Sequence, residues 1–144
     1  MRSTLTIAGV MLLVTGIAWS VPSDKSALLG IMEELGTQVG RLAQAIMADD
    51  LATAIAAASA IADHPQPTLA ERSRLLAHIG ADAPAFRAAN ADVHDAAVAV
   101  RTAAQMGDRT ALAAAFHRLA DSCLSCHTRF RDRLRTFDKP AGEE

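Results

Sequence analysis

The sequence predicts an all-α protein, an antiparallel up-down-up-down four-helix bundle, and three observations indicate this fold. Apolar residues make up 51% of the 144 positions, yet aromatic residues are only 3% and tyrosine is absent. Alanine supplies the balance, with 30 among the 124 residues from position 21 onward. Alanine is the strongest helix former, whereas strands favour β-branched and aromatic residues. In four segments, apolar residues also recur at helical spacing.

The first 20 residues have the layout of a secretory signal peptide. Arg2 precedes an uncharged apolar run over positions 5–18, and small residues stand at −3 and −1 of a cut before Val21. An uncleaved membrane anchor is the alternative, but the run is short for a span of about 20 residues. We therefore expect a signal peptide over 1–20 and a bundle domain over 21–144. The mature protein is expected in the periplasm, without stable membrane insertion.

The first two helices are predicted from an apolar seam and from their caps. Ser23 or Asp24 can begin the first helix, because both side chains cap helix N-termini well. Asp49 and Asp50 interrupt the pattern and can cap the second helix. The seam of the first helix is Leu28, Met32, Leu35, Val39, Leu42 and Ile46. The inner face of the second is Leu51, Ala54, Ile55, Ala58, Ile61 and Ala62.

A connector and two further helices follow. His64-Pro-Gln-Pro67 ends the second helix, because the residue before a proline avoids the α conformation. Thr68-Leu-Ala-Glu71 is a capping box that predicts a short helix ending at Gly80. The third long helix opens around 82–84 and ends at Gly107, and Asp108 can cap the fourth. The third seam is Phe86, Asn90, Val93, Ala97, Val100 and Ala104. The fourth helix carries Leu112, Phe116, Leu119, Cys123, Cys126, Phe130, Leu134 and Phe137 on one face.

The fourth helix contains Cys123-Leu-Ser-Cys126-His127, the C-x-x-C-H signature of covalent haem attachment. Residues i and i+3 share one face of a helix, so both thiols can reach the two vinyl groups of one porphyrin. His127 can then present its imidazole to the iron. The alternatives are a structural zinc site, which lacks a second Cys/His pair, and a redox-active or disulfide-bonded cysteine pair. We expect one haem c, bound through Cys123 and Cys126.

A C-x-x-C-H motif on the last helix of a four-helix bundle resembles the class II c-type cytochromes, the cytochrome c′ and cytochrome c556 family. The segment from His127 to Arg131 is similar to the C-x-x-C-H-x-x-Y/F-R ending of that family. The resemblance implies that Arg131 lies near the proximal haem face or a propionate. A solvated arginine at a helix C-terminus is the alternative. Met32, four residues before Gly36, looks like the sixth iron ligand of the c556 branch.

The sixth ligand separates two functional types in this family. A Met32 thioether opposite His127 would give six-coordinate, low-spin iron with a raised potential, suited to carrying one electron. If Met32 is only a packing residue, the iron is five-coordinate and the alternative is a cytochrome c′-type protein that binds NO or CO. Met47, Met106 and His94 are weaker candidates for the distal position. The sequence favours the electron carrier.

Charge and motifs also bear on other function classes. The net charge of −2 does not indicate a nucleic-acid binder, and we expect no enzyme because no catalytic acid–base pair or phosphate loop is visible. Redox partner proteins, still unidentified, are the expected partners, and the resemblance leaves open a homodimer through the first two helices. The positive charges at Arg129, Arg133, Arg135 and Lys139 could attract an acidic partner or simply be solvated.

Overall fold

The computed structural model describes residues 27–137, and all of its regular structure in that range is helical. Four helices form the bundle and a fifth lies in the longer connection, so the predicted all-α four-helix bundle is confirmed. The proposed signal peptide, the caps Ser23 and Asp24, and Lys139 lie outside the described residues. The elements are α1 (Ala27–Met47), α2 (Leu51–Ala62), α3 (Leu69–Ile79), a 3₁₀ turn (Gly80–Asp82), α4 (Ala83–Gln105) and α5 (Arg109–Phe137).

The helices follow one another around the bundle. α1 packs on α2, α2 on α4, and α4 on α5, whereas α1 and α5 contact each other little. Short connections make α1–α2 and α4–α5 antiparallel hairpins. Asp49 in the first hairpin turn accepts hydrogen bonds from Arg109 just after the second, at 2.7 and 2.6 Å. Both hairpin turns therefore lie at the same end of the bundle. Within residues 27–137, none of the helices is long and apolar enough to cross a membrane.

The predicted caps of α2 and α5 are confirmed. The Asp50 carboxylate accepts from the Thr53 amide at 3.0 Å, and the Asp108 carboxylate accepts from the Ala111 amide at 2.9 Å. Each bond satisfies an amide that has no partner within its own helix. Gly107 follows α4 with a φ of +68°, a backbone conformation that residues other than glycine rarely adopt.

The interior divides into two clusters. The main core lies among α1, α2, α4 and α5, and its small alanines allow the helices to approach closely. Its largest fully buried members are Leu42, Ile61, Leu119 and Val100. The second cluster joins α1, α3 and α5 near the other end of the bundle, and its buried residues are Leu28, Leu75, Ile79 and Phe130.

The predicted seam of α4 is wrong at one position. Asn90 is exposed, whereas Ala89 packs against the second cluster. The positions three and four residues after Phe86 both lie near its face of the helix, and the apolar Ala89 rather than the polar Asn90 packs inward. Burying the amide of Asn90 without a partner would also cost free energy.

Candidate haem site

The two cysteines lie on the inner side of α5, where the two clusters meet. Cys123 packs against the main core and Cys126 against the second cluster. Leu119 and Phe130 flank the pair along the helix and are 0% and 1% exposed. The spacing of four, three and four residues places all of these side chains on one helical face. The thiols are therefore half-buried at an apolar boundary.

Both cysteines are free thiols. Burial raises the pKa of the Cys123 thiol. Burial also raises the pKa of the Cys126 thiol, and the nearby Cys123 adds to this effect. The surroundings therefore favour the neutral thiol form of both residues. Among residues 27–137, no three His, Cys, Asp or Glu side chains come together in a way that could hold a metal ion.

Met32 comes to the same cluster as Cys126 but from a different helix. It is half-buried on α1, one turn after Leu28, and packs against the second cluster. The other candidates for the distal position lie elsewhere. Met47 and Met106, at the ends of α1 and α4, are 86% and 75% exposed. His94 is exposed and lies 3.1 Å from the carboxylate of its neighbour Asp95.

α1 and α5 together carry the donor set that haem c needs. Cys123 and Cys126 offer the thiols for covalent attachment, while imidazole and thioether are axial ligand types used in c-type cytochromes. Both helices also carry half-buried apolar side chains that pack against the main core, including Leu35 and Val39 from α1 and Phe116 from α5. The residues present therefore fit the group that the C-x-x-C-H motif implies.

A comparison with protein families agrees with this geometry. Residues 26–131 match the family described as Cytochrome C′. The chain belongs to this family of class II c-type cytochromes. The family implies haem c as the cofactor, and its members are typically periplasmic electron carriers or gas-binding proteins. No curated protein and no solved structure shows significant similarity to the chain.

Two predicted site residues of this cytochrome, His127 and Arg131, lie outside both buried clusters. Both are exposed on α5. The side chain of Arg131 is 68% exposed, with the Asp132 carboxylate 3.9 Å away. Neither residue belongs to either cluster, although His127 directly follows the half-buried Cys126. Their roles as proximal ligand and haem contact stay predictions.

Two arginines at the basic end of α5 pair with an aspartate from another part of the chain. Asp82, at the start of α4, accepts hydrogen bonds from Arg133 at 2.6 Å and from Arg129 at 3.1 Å. The Arg133 bond and charge, followed by those of Arg129, hold the pKa of the Asp82 carboxyl below its usual value. Two of these positive charges, Arg129 and Arg133, are thus paired, because the connector brings to them an aspartate that lies far away in the sequence.

Sequence reasoning missed a second role for Glu71 in this cytochrome. The capping box is present, since the Thr68 hydroxyl accepts from the Glu71 amide at 3.2 Å. The Glu71 carboxylate, however, reaches α1 and accepts from the Leu28 amide at 3.4 Å. Glu71 is only 8% exposed. The only sequence signal was an acidic residue among the apolar positions of a short connector.

Proposed function

We propose that this class II cytochrome is a periplasmic, monohaem one-electron carrier of the cytochrome c556 kind. Cys123 and Cys126 would hold the haem, His127 would be the proximal iron ligand and Met32 the distal one. The observation that carries the proposal is the convergence of Met32 and Cys126 on one cluster from two different helices. Bound haem c supplies reversible exchange of one electron at its iron.

The residues around Met32 suit a carrier. Phe86 and Phe130 meet edge to face, with ring centroids 5.3 Å apart. These rings exclude water on the side where Met32 and Cys126 lie, and a dry, apolar surrounding helps to set the reduction potential. A thioether ligand from Met32 raises that potential further. The electrons would pass to and from redox partner proteins.

A five-coordinate protein that binds NO or CO is the second candidate. Met32 packs among apolar side chains, and a methionine that merely fills a core would have the same surroundings. In that case the Met32 sulfur stays off the iron and the distal side admits a small diatomic ligand. The two candidates therefore differ in one bond, between the Met32 sulfur and the iron.

Optical spectroscopy of the mature holoprotein tests the proposal. The wild type, Met32→Ala and Met47→Ala are compared in the oxidised and reduced states, with and without CO. Met47→Ala is the matched control, because it removes a thioether from the same helix at a position that is 86% exposed. We expect low-spin wild-type and Met47→Ala proteins with a sulfur-to-iron charge-transfer band. Met32→Ala should lose this band and bind CO promptly.

Other outcomes would change the assignment. A high-spin wild type that binds CO promptly and does not respond to Met32→Ala would establish the five-coordinate protein instead. A colourless protein, produced together with a haem-maturation system, would mean that the C-x-x-C-H motif attaches no haem.

A further inference from the structure

α3 shares a buried cluster with α1 and α5, the two helices that carry Met32 and Cys126. α1 and α5 contact each other directly but sparsely, and Leu75 and Ile79 of α3 are buried in the same cluster as Leu28 of α1 and Phe130 of α5. Side chains of α3 therefore contribute to the packing that sets the position of α1 relative to α5 at this end of the bundle.

α3 is tied firmly to α5. The Nε2 atom of His78 lies 2.9 Å from the main-chain oxygen of Arg133. In return, the Arg133 guanidinium donates to the Ile79 carbonyl at 3.2 Å and to Asp82 at 2.6 Å. Arg129, two residues after His127, donates to the same aspartate. These bonds hold the end of α3 and the 3₁₀ turn against the helix that bears the motif.

On the other side, Glu71 ties α3 to α1. Its carboxylate accepts from the Leu28 amide at 3.4 Å, and both residues are less than 9% exposed. Amides in the first turn of a helix have no acceptor within the helix, and negative charge is favourable at that end. Leu28 precedes Met32 by four residues, so the next main-chain bond of the helix joins these two residues. An anchor at Leu28 thus holds the turn that presents Met32.

We propose that Glu71 is a positioning residue for Met32. From its place on α3, it fixes the first turn of α1 and keeps the Met32 thioether directed toward the motif on α5. This inference rests on the proposed function, in which Met32 binds the iron. An apolar residue at position 71 would pack in the same place but would leave the Leu28 amide without this acceptor.

The test uses holoproteins with Glu71→Ala, Glu71→Gln and Asp50→Ala, compared with the wild type. Glu71→Gln keeps an oxygen that can accept from Leu28. Asp50→Ala removes the cap of α2 at the opposite end of the bundle, so it lowers stability without touching α3. The readouts are the spin state, the sulfur-to-iron band and the fraction of protein that binds CO promptly.

We expect Glu71→Ala to raise the promptly reacting fraction about tenfold, which corresponds to about 1.4 kcal/mol lost from the Met32-bound state. Glu71→Gln should stay within about twofold of the wild type, because the hydrogen bond to Leu28 is retained. Asp50→Ala should lower the melting temperature and leave the CO reaction unchanged. If Glu71→Ala does not fold, Glu71→Asp withdraws the carboxylate by one methylene and should shift the CO reaction in the same direction.

The outcomes separate this proposal from the proposed function. The positioning role is overturned if the wild type is low-spin and depends on Met32, yet the position 71 variants keep wild-type spectra and CO reaction. It is also overturned if Glu71→Ala and Asp50→Ala behave alike. A high-spin wild type that is insensitive to Met32→Ala would instead refute the proposed function, and the positioning role would fall with it.

Discussion

Replacing Phe130 by alanine is the most direct test of the second cluster. Phe130 is 1% exposed and is the largest fully buried side chain in the described range. Its ring meets Phe86 edge to face at 87°, and the Arg129 guanidinium lies 5.1 Å from the ring centroid. Phe130→Ala removes these contacts and leaves a cavity where α1, α3 and α5 meet.

The expected cost follows from the burial of Phe130. Truncation of a fully buried phenylalanine lowers the free energy of unfolding by about 3–5 kcal/mol, through lost transfer free energy and the cavity. For a domain of this size, each kcal/mol lowers the melting temperature by about 4 °C. We therefore expect the holoprotein to melt about 12–20 °C lower.

Urea and thermal unfolding, followed by circular dichroism of the helices, measure this loss. Fluorescence is unsuitable, because the chain has no tyrosine and its one tryptophan lies in the predicted signal peptide. Phe137→Ala is the matched control, because that ring is only half-buried at the end of the same helix. A loss of less than about 1.5 kcal/mol at Phe130, the size of a well-tolerated core swap, or one equal to that of Phe137→Ala, would refute a packed core there.

Two further predictions concern the connections. Gly107→Ala should lower the free energy of unfolding in urea by about 1–2 kcal/mol. The cost comes from the backbone alone, because φ is +68° and no atom lies within 4 Å of the added Cβ. The same change at Gly36, inside α1, should be neutral or stabilising. The second prediction concerns Asp82, whose pKa lies below the ordinary value of 3.8. Its bonds to Arg133 and Arg129 therefore stabilise the fold fully at pH values above 3.8. This stabilisation is lost as the pH falls through the lowered pKa. The wild type should therefore be more stable than Asp82→Asn at neutral pH and should lose that advantage in acid, and parallel pH profiles would contradict this.

Local patterns predicted much of this protein correctly. The caps Asp50 and Asp108 act as their spacing predicts, and Gly107 follows α4 in the left-handed conformation. The inward face of α5, including Cys123 and Cys126, also agrees with the predicted seam. The failure at Asn90 has a local cause as well, since positions 89 and 90 both lie near the face of Phe86 and the apolar alanine packs inward in place of the polar asparagine.

The sequence by itself determined the helices, their caps and the C-x-x-C-H motif, because these depend on residues only a few positions apart. Only the tertiary structure decided that Met32 and Cys126 pack on one cluster. It also decided that Glu71 binds the Leu28 amide across 43 positions and that Asp82 pairs with Arg133 across 51. No short-range spacing encodes such pairs, since they form only when the connector between α2 and α4 packs against both α1 and α5.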